Sequence, residues 1–138
     1  MKNQTLSKEQ MEHLAALGID TTKSSMLICE LKDGEELIAT TDYAFDLFIQ
    51  GQIETTFYAF TLYDVINLLP KTINECILNI DFDYYCFDYY YYAYDGQTSW
   101  HSVCFGSMDN IMDGAYEMLV WVLEKGYLNS IIKKHENI

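Results

Sequence analysis

The chain has 138 residues, half of them hydrophobic and 21% charged, a length that suits one domain and a composition that excludes intrinsic disorder. Twenty-one acids stand against eight lysines with no arginine, giving a net charge of −13. Such a chain would repel nucleic acid, whose binding needs cations that neutralise phosphates. It would equally repel anionic membranes and nucleotide substrates, for which arginine is the usual bidentate ligand.

The charge is unevenly spread. Seven acids lie between Lys32 and Lys71 and nine between Lys71 and Lys125, with no other lysine or arginine in either interval. This acidity serves either solubility alone or the docking of a basic partner. The opening MKNQTLSKEQ lacks the apolar run of a secretory signal. The longest apolar stretches, such as Met118–Leu123, fall far short of the about 20 residues that span a bilayer. The expectation is a cytoplasmic protein in which Cys29, Cys76, Cys86 and Cys104 are reduced, buried, small hydrophobes.

In chain order, Ser7 with Gln10 makes a capping box, and Leu6 can staple to Met11. The helix they open buries Met11, Leu14 and Ala15 and stops at Gly18. Two apolar-rich runs, Met26–Leu31 and Glu36–Thr41, flank Asp33-Gly34, a strong hairpin signal. Asp42 to Phe60 is aromatic, acidic and irregular. It reads as a long connection packed on the domain, with a short helix around Tyr43–Ile49. Thr61 caps a second helix with Asp64 at its third position, Phe60 stapled to Val65, and Pro70 as the stop.

Leu78, Ile80 and Phe82 alternate with Asn79, Asp81 and Asp83, as on a half-buried strand. From Tyr84 both faces turn aromatic. Ile77 to Asp95 would be a strand of 19 residues, beyond the usual length, so it must bend or break near Asp83–Tyr85. Asp95-Gly96 then turns the chain back through TSWHSVCFG. A last helix carries Met108, Ile111, Met112, Ala115, Met118, Leu119 and Val122 at helical spacing. Ser107 or Asp109 caps it, Gly114 lets it approach the sheet closely, and Gly126 ends it. SIIKKHENI forms a short amphipathic tail. The order α-ββ-α-βββ-α defines a single α+β domain, residues 1–138, with helices packed on an antiparallel sheet of two hairpins.

No pattern of residues carries evident chemistry. His101 has Ser99 and Ser102 beside it, but alternation puts His101 with Ser99 and Val103 on one face and Ser102 and Cys104 on the other. No nucleophile elbow or catalytic-cysteine signature accompanies them. A zinc site from Cys76, Cys86, Cys104 and His101 lacks paired ligand spacing. Asp81 and Asp83, about 6.6 Å apart along a strand, lie on the face that alternation assigns to solvent rather than to a sugar cleft. DFDYYCFD begins like a calcium loop but lacks its third ligand and its glycine. The expectation is a protein that is not an enzyme and needs no cofactor or metal.

DYYCFDYYYYAYDG, Asp83 to Gly96, holds seven of the twelve tyrosines and no base. Tyrosine is a good strand former whose ring suits a core and whose hydroxyl suits a surface. It also offers large, rigid contact area at small entropy cost. Parity places Tyr85, Phe87, Tyr89 and Tyr91 on one face and Tyr84, Cys86, Asp88, Tyr90, Tyr92 and Tyr94 on the other. One face must be core, because two bare aromatic faces exceed what a soluble monomer exposes. The candidate contact residues are Tyr85, Tyr89, Tyr90, Tyr91, Tyr92 and Tyr94 with Asp81, Asp83, Asp88 and Asp95.

Three segments, LSKEQMEHLAALGID, FTLYDVINLLPKTI and GAYEMLVWVLEKGYL, together about a third of the chain, resemble uncharacterised short acidic proteins carried by prophages and mobile elements of gut bacteria. The shared positions are caps and core residues, so the resemblance implies a small cytoplasmic accessory protein and brings no active site. The tyrosine run is not part of it. The function expected is protein binding: an acidic module with a basic protein partner, one version being the blocking of a nucleic-acid-binding host protein by charge mimicry. A homodimer built through the tyrosine-rich hairpin and a small enzyme of unrecognised type are the alternatives.

Overall fold

In a computed structural model, residues 5–104 and 111–128 are described. Helix α1, Lys8–Ala16, opens with the Ser7–Gln10 capping box, in which the Gln10 amide donates to Ser7 Oγ and the Ser7 amide to Gln10 Oε1. It closes in a Schellman turn. Gly18 N–H donates to the Ala15 carbonyl and Ile19 N–H to that of Leu14, which requires the left-handed φ of +102° that glycine adopts freely. Leu6, Met11, Leu14 and Ile19 are buried in one core.

Strands β1 (Met26–Leu31) and β2 (Glu36–Ala39) form the hairpin expected around Asp33-Gly34. The stretch after them departs from the expected connection. Thr40 leaves the strand to cap helix α2, Thr41–Ile49, and Ile53–Ala59 forms strand β3. β3 pairs antiparallel with β1, so the first sheet has the order β2-β1-β3. The helix lies where Tyr43–Ile49 was expected. The strand was hidden because Glu54, Thr55 and Thr56 interrupt its alternation, and only pairing with β1 decides its two sides.

Helix α3, Leu62–Leu68, carries its own capping box between Thr61 and Asp64. Asp64 Oδ2 also accepts from the Ser25 amide and hydroxyl, which ties the entrance of β1 to the helix. Four strands follow as an antiparallel meander in the order β4-β5-β6-β7: Thr72–Ile73, Cys76–Asp81, Cys86–Ala93 and Gly96–Cys104. β4 lies outside the expected order. Asn74 and Glu75 turn it back at φ 49° and 71°, the backbone of a two-residue hairpin turn.

Helix α4, Ile111–Glu124, packs on β6 and β7 and on α3. Gly114 is buried within it, and Gly126 closes it with the same kind of Schellman turn. Met108 and the expected caps Ser107 and Asp109, like SIIKKHENI, lie outside the described residues. The main core joins α1, α3, α4 and one face of the second sheet, with Phe60, Phe87, Tyr89, Met118 and Leu119 at its centre. A smaller cluster of Leu27, Cys29, Ala39 and Ala44 holds α2 to the first sheet. The fold is the expected α+β arrangement, built on two sheets rather than one.

Candidate interaction surface

The tyrosine run breaks where its length demanded. Asp81 ends β5, and its Oδ1 accepts from the amides of Asp83 and Tyr84, an Asx turn. Tyr85 completes the turn at φ 56°. The run is therefore a turn plus the second strand of a hairpin, not one bent strand. Asp83 stands in the turn, so Asp81 and Asp83 do not share a strand face, and the 6.6 Å spacing expected of them does not form.

Within β6, parity selects its core face as expected. Phe87 and Tyr89 are fully buried. Tyr89 hydroxyl donates to the Pro70 carbonyl at 2.7 Å, and burial pushes its phenol well above the usual range. Tyr89 was a candidate contact residue, and its burial removes it from any surface. Tyr85 is half-buried against the same core. Tyr91 follows them on that face but reaches the edge, where it is exposed.

The outer face of the second sheet carries Cys86, Asp88, Tyr90 and Tyr92. Tyr90 and Tyr92 meet edge to face at 5.5 Å. Hydrogen bonding with Tyr92 is the first cause that raises the Tyr90 phenol, and the charge of Asp88 acts the same way. Tyr92 is 69% exposed, and Tyr94 and Asp95 project fully at the turn. Asp88 is half-buried and accepts from Ser99 Oγ and Ser102 Oγ, each at 2.9 Å.

Those two serines correct the expected parity of β7. Tyr89 pairs with His101 and Tyr90 with Ser99, so Trp100 is the extra residue of a β-bulge. Beyond it the faces exchange, and Ser99 joins Ser102 on the outside instead of His101 within. His101 lies flat on the Trp121 ring at 3.9 Å and 4°. Trp100 meets Trp121 and Tyr127 at 5.4 and 5.7 Å. Desolvation lowers the His101 pKa, opposed by the charge of Asp88 and assisted by Lys125. The ring is a packing element of the α4 contact.

The cysteines divide. Cys29 and Cys76 are free and buried. Cys86 and Cys104 are bonded in a disulfide, which corrects the expectation of four reduced, buried thiols. They face each other across β6 and β7 with Cα atoms 4.2 Å apart, the short spacing of a non-hydrogen-bonded cross-strand pair. The bond lies on the outer face, whereas Cys76 sits in the core, so the four-residue zinc set is not assembled. Among the described residues no group of three or more His, Cys, Asp or Glu could hold a metal ion.

The structure thus separates the candidate residues. Asp81, Asp83 and Tyr85 lie at one end of β6 beside the exposed Phe82 and Tyr84, while Tyr92, Tyr94 and Asp95 lie at the other, about 24 Å away at 3.4 Å per residue. Depressions lie beside both sheets. One, of about 520 Å3, is lined by Asn74, Glu75, Cys76, Tyr91, Tyr92 and Trp100. Another, of about 830 Å3, runs between α1 and the first sheet over Ile28, Ile38 and Phe57, with Glu9, Glu30, Glu36 and Asp113 among its lining. His101 lines neither.

Sequence reasoning missed a further surface. In α2 only Ala44 and Leu47 are buried, while Tyr43, Phe45, Phe48 and Ile49 are exposed. The available signal was TDYAFDLFI itself, because a helix with large apolar residues on more than one side is covered by something on each. Among the described residues no helix is long and apolar enough to cross a membrane. No protein family, curated protein or solved structure matches the chain.

Proposed function

We propose that this chain is a non-enzymatic protein-binding module that docks on a basic partner. The observation that supports this reading is the outer face of the second sheet. There Ile77, Tyr90 and Tyr92 stand in neighbouring register and lead to Tyr94 and Asp95, while α4 lies on the opposite face. Strands β5 and β6 contribute Asp81 and Asp88, and β5 to β7 carry no lysine or arginine. Exposed aromatic area set in one sign of charge suits a partner with lysines and arginines around an apolar centre. In its sharpest form the partner is a nucleic-acid-binding host protein, whose phosphate-contacting cations would meet this acidic surface instead. That role fits a small cytoplasmic accessory protein of phage or mobile-element type.

The test is binding of the purified chain to basic nucleic-acid-binding proteins at low and high salt, with Tyr92→Ser and Tyr94→Ser as variants. Binding should weaken with salt and with the paired substitutions, and nucleic acid should compete. Partners retained unchanged at high salt would remove the electrostatic reading.

A second reading is self-association through the same hairpin, and the edge of β7 favours it. Among the described residues, this strand of nine residues has a neighbour on one side alone, and an open edge can template another copy. Sedimentation decides between them: a salt-resistant dimer supports self-pairing and a monomer removes it.

A further inference from the structure

The outer side of α2 is the apolar surface with the least explanation in the fold. Thr40 caps the helix. At its other end Gly51 N–H donates to the Phe48 carbonyl and Gln52 N–H to that of Leu47, so both ends are held by local geometry. Ala44 seats it on Leu27, Cys29 and Ala39, and Leu47 is its other buried residue. Phe45, Phe48 and Ile49 are related as i, i+3 and i+4 and therefore adjoin one another. They remain 60%, 68% and 66% exposed. At about 200 Å2 for each such side chain, roughly 390 Å2 of contiguous apolar surface faces solvent, the size of the largest patch on a typical monomer, which is often functional.

Charge selects the occupant. Asp42 is three residues before Phe45, and Asp46 is three before Ile49, so both carboxylates border the stripe. They are also four residues apart on the helix, where like charges repel. Thr41 to Ala59 adds Glu54 and contains no base. A second copy would bring the same carboxylates together and add another −13. An anionic lipid surface would be repelled in the same way.

We infer that this face of α2 docks a cationic amphipathic segment of a partner protein. Its apolar side chains would cover Phe45, Phe48 and Ile49, and its lysines or arginines would meet Asp42 and Asp46. The inference rests on the protein-binding reading above and assigns that reading a second surface and a partner chemistry.

The test titrates the full 15N-labelled chain with a synthetic peptide of about 15 residues, leucine at i, i+3, i+4 and i+7 and lysine elsewhere. A second peptide replaces each leucine by serine. The first peptide should bind saturably, with amide shifts concentrated over residues 41–52. Phe48→Ser should weaken it about tenfold or more, and Asp42→Asn with Asp46→Asn should reduce its salt dependence. Phe48 is exposed, so amides distant from α2 should be unchanged in the variant, which verifies its folding.

Equal binding of the serine peptide would overturn the inference, because charge alone would then suffice. So would a dimer that Phe48→Ser dissolves, because a second copy would then cover the face. Shifts confined to the second sheet would overturn this site while leaving the protein-binding reading intact. Absence of saturable binding to either surface would count against both.

Discussion

A tyrosine holds a core position only when its hydroxyl is satisfied, and Tyr89 meets that condition by donating to the Pro70 carbonyl. Tyr89→Phe should lower the unfolding free energy by about 1–2 kcal/mol, read from denaturant midpoints. An unchanged midpoint would show that Pro70 finds another donor. Asp88 is similarly committed, since two serine hydroxyls occupy its oxygens. His101 is held below its ordinary pKa, first by desolvation. The unfolded chain therefore takes up its proton before the folded chain does. The His101 contribution is complete above about pH 6.5 and declines as pH falls through that value. The stability margin of the native chain over His101→Gln should accordingly shrink between about pH 7.5 and about pH 5. A margin independent of pH would show that the ring titrates alike in both states.

Individual elements differ in how far they depend on their neighbours. Helices α1 and α3 are specified by nearby residues: a cap, a carboxylate or amide at the third position, a staple, and a glycine or proline stop. These were legible because each interaction spans fewer than about six residues. The Asp33-Gly34 turn was legible for the same reason, and so was the place of the β6–β7 turn, although its two residues are Tyr94 and Asp95 and Gly96 already pairs with Ala93. The Asn74-Glu75 turn was not, because glutamate at a φ of 71° runs against its own preference. Glu75→Gly should relieve that conformation and raise stability by up to about 1 kcal/mol, the αL cost less the added chain entropy. A loss of stability would mean that the Glu75 side chain makes a contribution larger than its strain.

The β6–β7 pair combines a bulge, which reversed the expected faces, with the Cys86–Cys104 disulfide. Neither follows from spacing along one strand, because both depend on register between two. Under denaturing conditions without reductant, two thiols, those of Cys29 and Cys76, should react, and four should react after reduction. Reduction should also lower stability by about 2–3 kcal/mol for a loop of this length. Four reactive thiols before reduction would contradict the cross-link.

At the scale of the whole molecule, a net charge of −13 acts against compactness through self-repulsion, which salt screens. Sodium chloride should therefore raise the thermal midpoint as its concentration increases from about 0.05 to about 0.5 M. A flat response would show that the acids are too dispersed to repel. The same charge shapes the two apolar surfaces, the tyrosine end of the second sheet and the Phe45–Phe48–Ile49 stripe of α2. Both are bordered by aspartate with no base in their own segments. The candidate site was legible in part. The sequence identified the aromatic hairpin and its charge, but not that Tyr89 is interior, that the two ends of the run lie far apart, or that α2 presents a second stripe.

By itself the sequence determined the α+β class, the caps and stops of α1 and α3, the stop of α4, the places of two of its turns and the acidic character of its chain. Each of these follows from composition or from contacts between residues close in the chain. The tertiary structure alone decided that β3 joins β1, that Trp100 bulges and exchanges the faces of β7, that Cys86 meets Cys104, and that Phe45, Phe48 and Ile49 are left outside. All four depend on which segments distant in the chain become neighbours. An apolar side chain is interior or exposed only once something has been packed against it.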